Sequence, residues 1–138
     1  MGVYKVLTDY LANIEQDSCG EWIIDRKSKG TAEDPIQMPY VSYSRMVQRF
    51  IHDAYEFMDD HPEYELTHYS DILRVNGIEW GKQSMQEVDV STRDGKCVMA
   101  LIIGALRADR FCEGVLLSFF ENGTMAKWLL RLKEIDGE

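Results

Sequence analysis

The sequence predicts a mainly α fold: a compact bundle of about five or six helices, with a long ordered loop or a small β-hairpin at about residues 18–41. Three observations carry this expectation. Apolar residues recur at helical spacing over most of the chain. The segment from 18 to 41 breaks that period and holds Gly20, Gly30, Pro35 and Pro39. An apolar block from Cys97 to Leu106, flanked by further apolar residues, reads as the middle of a core.

The elements follow in order. Val3, Val6, Leu7, Tyr10, Leu11 and Ile14 share a helical stripe, so the spacing predicts a first helix over about 3–16. In the next segment EWII can pair with the stretch near Ile36 to Tyr40 around Gly30. Trp22, Met38 and Tyr40 are expected to pack that segment against the body. Ser42 or Ser44 caps the second helix, whose buried face is Tyr43, Met46, Val47, Phe50, Ala54, Phe57 and Met58. Pro62 ends it. Thr67 is placed to cap a short helix through Leu73, which Asn76 and Gly77 close. GIEWGKQ is a turn around Trp80, and residues 82–89 have room for a further turn or two. From Asp94 to Asn122 the helical signal is strongest and apolar on several faces, which predicts a surrounded helix. Gly123 stops it, and Thr124 is placed to cap a last helix that buries Met125, Trp128, Leu129, Leu132 and Ile135.

A chain of 138 residues fits a single globular domain over 1–138. At this size about two-thirds of the unfolded surface is buried, enough for a core without disulfides or metal. No apolar run reaches the ~18 residues that cross a bilayer. The first residues lack the basic-then-apolar pattern of a secretory leader. The three cysteines, Cys19, Cys97 and Cys112, are odd in number and form no CxxC. Together these features predict a protein of a reducing cytoplasm, with no membrane contact. A net charge of −9 opposes phosphate backbones, and the basic residues are scattered, so nucleic acid is not an expected partner.

RADRFCEG, residues 107–114, places Arg107, Asp109, Arg110 and Glu113 between apolar blocks. On a helix the two arginines lie three apart and leave from one side. Gly104 and Gly114 remove bulk and let another segment approach. Asp109 sits beside the apolar stripe and needs a partner, because an unpaired buried charge is very costly. One reading is structural: the cluster bridges this helix to the 18–40 or 61–81 segment, or marks a kink between two shorter helices with Phe111 turned inward. A second is an anion pocket clamped by Arg107 and Arg110, oriented by Asp109 or Glu113, and walled by Trp80 or Tyr40. A third is a protein interface, where arginine and aromatic residues are favoured.

Other constellations are weaker. Residues 59–71 concentrate Asp59, Asp60, His61, Glu63, Glu65, His68 and Asp71, and His52 with Glu56 adds a pair one turn apart. No HExxH or tight ligand spacing accompanies them, so they read as a solvated acidic turn and no metal or cofactor is expected. Cys112 beside Arg110 lacks a nearby histidine and reads as a core cysteine. GxSxG, Walker and dinucleotide fingerprints are missing, and no catalytic residue is assigned.

MPYVSYS at 38–44, GIEW at 77–80, RADRFCEG and NGTMAKWLLRLK at 122–133 together resemble a family of small bacterial proteins classed as a domain of unknown function. The resemblance spans roughly residues 20–135 and implies a bacterial helical domain. It transfers no activity or site residue. The expected role is a non-enzymatic binding or protein-interaction module, acting on a protein partner or as a homodimer. The alternative is an enzyme or binding protein for a small phosphorylated or carboxylated molecule held at Arg107 and Arg110.

Overall fold

The computed structural model describes residues 2–36 and 38–137. The chain is mainly helical with one two-stranded antiparallel sheet among the described residues. The N-terminal stripe divides into α1 (Lys5–Thr8) and α2 (Leu11–Gln16). The anticipated single helix breaks at Asp9 and Tyr10, where the chain turns. Tyr4 and Leu7 bury on one side of that turn, and Tyr10 sets its ring edge-on to Phe50 at 5.5 Å.

The 18–41 segment takes the hairpin form. β1 (Gly20–Ile23) pairs with β2 (Tyr40–Tyr43), Trp22 opposite Val41 and Ile23 opposite Tyr40. The return strand therefore begins at Tyr40, where the sequence placed its end. Alternation along the strands explains the shift. Val41 turns into the core and Tyr43 follows it, while Met38 is 84% exposed and Tyr40 45%. Met38 and Tyr40 thus do not pack the segment down, as had been anticipated for them.

α3 (Arg45–Asp60) starts where Ser44 accepts a hydrogen bond from the Val47 amide at 3.2 Å; Ser42 lies in β2. Pro62 opens a short 3-10 turn rather than extending α3. α4 (Tyr69–Val75) is preceded by a second 3-10 turn, Leu66–His68, so Thr67 lies within that turn and makes no cap. Gly77 is left-handed, and the Ile78 amide bonds back to the Leu73 carbonyl, the expected helix closure. α5 (Lys82–Gln86) is a single turn that seats Met85 in the core.

The long apolar helix also divides in two. α6 (Gly95–Phe111) begins at Asp94, whose carboxylate accepts from the Cys97 amide at 2.9 Å. Every residue from Cys97 to Leu106 is buried, because α6 packs against α3, α4, α5, α7 (Val115–Glu121) and α8 (Thr124–Ile135). The chain bends at Cys112–Gly114 and continues as α7. Gly123 and Asn122, not Thr124, prepare α8: the Thr124 amide donates to the Asn122 side chain at 3.0 Å. Met125, Trp128, Leu129 and Leu132 face the core as expected, while Ile135 is 38% exposed.

Among the described residues no helix is long and apolar enough to cross a membrane.

Candidate functional site

The α6–α7 elbow is where RADRFCEG falls, and Asp109 organises it. One oxygen of its carboxylate, Oδ1, accepts from the Tyr43 hydroxyl at 2.8 Å and from the Gly114 and Leu116 amides at 3.1 Å each. The Tyr43 oxygen in turn accepts from the Leu117 amide at 3.2 Å. These bonds satisfy the free amides at the start of α7, which has no cap from its own N-terminal residue. They also fasten β2 to the elbow. Burial first, and then the hydrogen bond to Asp109, push the Tyr43 hydroxyl well above the usual phenol range.

Two glycines let aromatic rings close in. Gly114 has φ +90°, and a Cβ there would collide with the ring of Trp22. At Gly104, the edge of Trp80 comes close enough to α6 for its indole N–H to donate to the Gly104 carbonyl at 3.0 Å. Trp80 then faces two further rings, Tyr69 at 5.9 Å and Phe111 at 6.1 Å, the latter edge-on at 90°.

Phe111 corrects an expectation. The kink is present, but Phe111 turns outward and is 81% exposed. The buried positions at this end of α6 are filled by Leu106 and Ala108, and Phe111, the last residue of the helix before the bend, faces solvent. Cys112 likewise lies exposed at the bend and outside the core.

The remaining candidates separate. Arg107 lies over the Tyr55 ring with 5.4 Å to the centroid, a cation–π geometry. Arg110 and Glu113 are exposed. Among the described residues neither arginine forms an ion pair with a carboxylate. Tyr40 is not part of this group: it lines a cleft of about 470 Å³ on the hairpin with Ile23, Asp25 and Met38. Trp80 walls a different cleft, of about 360 Å³, with Ser70, Arg74, Gly77, Ile78 and Glu79. The end of α6 thus carries Arg107, Arg110 and Phe111, with Phe111 against Trp80, while Asp109 braces the turn into α7. The sequence pointed to a bridge from the cluster to the 18–40 segment and to a close approach at Gly114, but not to Tyr43 or Trp22 as the residues that make them, since no local signal in MPYVSYS or EWII connects them to a turn so far along the chain.

Elsewhere on α3, His52, Asp53 and Glu56 bring one donor atom each to within 4.8 Å of one another. Residues 59–71 stay dispersed: His61 pairs with Glu63 at 3.2 Å, and Asp71 with Arg74 at 2.9 Å.

Compared with known proteins, the chain matches the sequence profile of DUF6508, a family of unknown function, over residues 4–138. No curated protein and no solved structure matches it.

Proposed function

The chain belongs to DUF6508, a family of unknown function, and we propose that it is a protein-interaction module that docks a partner on the α6–α7 elbow. The observation that carries this reading is the Phe111 side chain, 81% exposed at a bend braced by four hydrogen bonds through Asp109 and Tyr43. A rigid turn that holds a phenyl ring in water loses burial energy of about 1.5–3 kcal/mol, which a partner recovers. The ring stands against Trp80, and Trp80 walls an open cleft beside it. Aromatic and arginine side chains are enriched at interface centres.

The partner is an acidic segment bearing an apolar anchor. Among the described residues neither Arg107 nor Arg110 forms an ion pair with a carboxylate, so both guanidiniums are available to an acidic partner although the chain carries a net charge of −9. A second copy is disfavoured by symmetry. A two-fold interface centred here sets the same arginines face to face. All three cysteines are free thiols, and Cys112 is exposed, which supports a reducing compartment such as a bacterial cytoplasm.

The test uses synthetic peptides in which glutamates flank leucine and phenylalanine, with calorimetry and the tryptophan fluorescence lost in Trp80→Phe as readouts. The acidic peptide is expected to bind, and Phe111→Ala and Arg110→Glu each to weaken it about tenfold or more. A lysine-flanked peptide that binds equally, no binding at millimolar peptide, or sedimentation as a dimer dissolved by Phe111→Ala overturns the reading.

The unmatched guanidiniums also favour a second reading, a small phosphorylated or carboxylated ligand at Arg107 and Arg110. An anion present at ~100 times its dissociation constant raises stability by about 2.7 kcal/mol. A thermal shift with inorganic phosphate, nucleotides or sugar phosphates that disappears in Arg110→Ala supports it, and a flat series removes it.

A further inference from the structure

We propose that α3 carries a divalent metal site formed by His52, Asp53 and Glu56, suited to a borderline ion such as Zn²⁺, Co²⁺ or Ni²⁺. The site is separate from the elbow and does not depend on the docking reading. His52 and Glu56 lie one helical turn apart, with His52 Nε2 and Glu56 Oε2 at 3.1 Å. Neighbouring ligands on an ion with bonds of about 2.1 Å stand roughly 3 Å apart, so this pair is already near coordination spacing. Asp53 completes a set whose donor atoms all fall within 4.8 Å.

The third ligand is oriented from outside the cluster. The Tyr10 hydroxyl, from the turn just before α2, donates to Asp53 Oδ2 at 2.6 Å, and the Tyr10 ring is itself fixed edge-on against Phe50. That bond leaves Oδ1 accepting no hydrogen bond among the described residues. A hydrogen bond of this kind, from a side chain that does not touch the ion, is how ligating carboxylates are usually held in position. Entry is open, since the side chains of His52 and Glu56 are 75% and 58% exposed. The donor set selects the ion. One imidazole and two carboxylates favour first-row divalent ions over Ca²⁺ or Mg²⁺, which prefer oxygen alone. Three protein ligands leave further positions to water, as in open rather than structural sites. Arg49, one turn before Asp53, is the opposing charge and holds the affinity to a modest value. Its positive charge is felt at Tyr10.

Zn²⁺ calorimetry and the visible spectrum of bound Co²⁺ test the site on the whole chain. About one equivalent is expected to bind, and His52→Ala and Glu56→Gln are each expected to lower affinity at least tenfold. Tyr10→Phe keeps the packed ring but loses the donor, and is expected to weaken binding about tenfold with the helical content unchanged. His61→Ala, which alters the other histidine–carboxylate pair, is expected to change nothing. No Co²⁺ spectrum and no Zn²⁺ heat at millimolar metal, or full affinity retained in His52→Ala, overturns the proposal.

Discussion

Asp109 and Tyr43 stand 66 residues apart in the chain and share one hydrogen bond. Each also accepts backbone amides of the first turn of α7, so neither is replaceable by an apolar group without leaving donors unpaired. Asp109→Ala leaves two amides and a phenol unpaired, and is expected to cost about 2–4 kcal/mol in urea denaturation. Tyr43→Phe removes one donor and one acceptor and is expected to cost about 1–2 kcal/mol. The double variant should cost clearly less than the sum, since both losses act on the same network. Additive effects would mean that the two residues act independently. The phenols also give the chain a signature at high pH. Burial, followed by the hydrogen bond to Asp53, raises Tyr10 to about 12 from an ordinary 10.0. Tyr4 and Tyr43 are pushed up in the same direction, by burial first and then by their hydrogen bonds to Tyr64 and Asp109. A group whose pKa rises on folding holds its proton more tightly in the folded chain. Its contribution is complete below the unfolded value and is lost as pH climbs toward the folded one. Stability is therefore expected to fall from about pH 10 to pH 12, and the fall to be shallower in Tyr10→Phe.

At the scale of elements, much of the local chemistry was legible, although Thr67 and Thr124 do not make the caps their positions suggested, and long-range chemistry was not. Ser44 before Arg45, Asp94 before Gly95 and Gly77 after Val75 are short-range signals, and each ends or starts a helix where the sequence indicated. Ser44→Ala is expected to cost about 1 kcal/mol, the usual loss for an N-cap. The two divided helices are a different matter. Apolar periodicity runs unbroken through Asp9 and through Cys112, because residues on both sides of a bend still bury against the same core. What breaks the helix at the elbow is Gly114, in a left-handed conformation under Trp22, and the capping of α7 by Asp109 from the preceding helix. Neither interaction has a spacing that marks it. Gly114→Ala is expected to be the more damaging of the two elbow glycine changes, losing more than about 1 kcal/mol and shifting Trp22 fluorescence, since strain and collision add. Gly104→Ala meets only the end of Met85 and the Trp80 edge, at 3.1 Å and 3.4 Å. A fluorescence spectrum of Gly114→Ala identical to that of the wild type would remove Trp22 from the elbow. Lys127 and Arg131 show the same limit of local reading. Both lie off the apolar stripe of α8, where nothing in the local sequence marks a partner, yet Lys127 holds the Gln86 and Val88 carbonyls at 2.9 Å and 3.1 Å. Arg131 likewise holds the Arg93 carbonyl at 2.9 Å.

Over the whole molecule, charge acts in two directions at the proposed docking face. The chain carries 24 acidic and 15 basic residues, so its far field repels an acidic partner. The elbow, with Arg107 and Arg110 beside Phe111, attracts the same partner at contact. These fields have different ranges. In salt near 0.15 M charges farther apart than about 8 Å are screened, while groups in contact are much less affected. Encounter samples the far field, and dissociation samples the contacts. The on-rate of an acidic peptide is therefore expected to rise as salt increases from about 0.01 M, where screening reaches about 30 Å, to 0.15 M. The off-rate is expected to rise over the same range, leaving affinity nearly level. Arg110→Glu should steepen the rise in on-rate, since it adds repulsion and removes attraction at once. Stopped-flow measurements on Trp80 fluorescence check both. An on-rate that falls steadily with salt would mean that the arginines govern encounter as well as contact. The rest of the acidic surface would then face away from the partner's path.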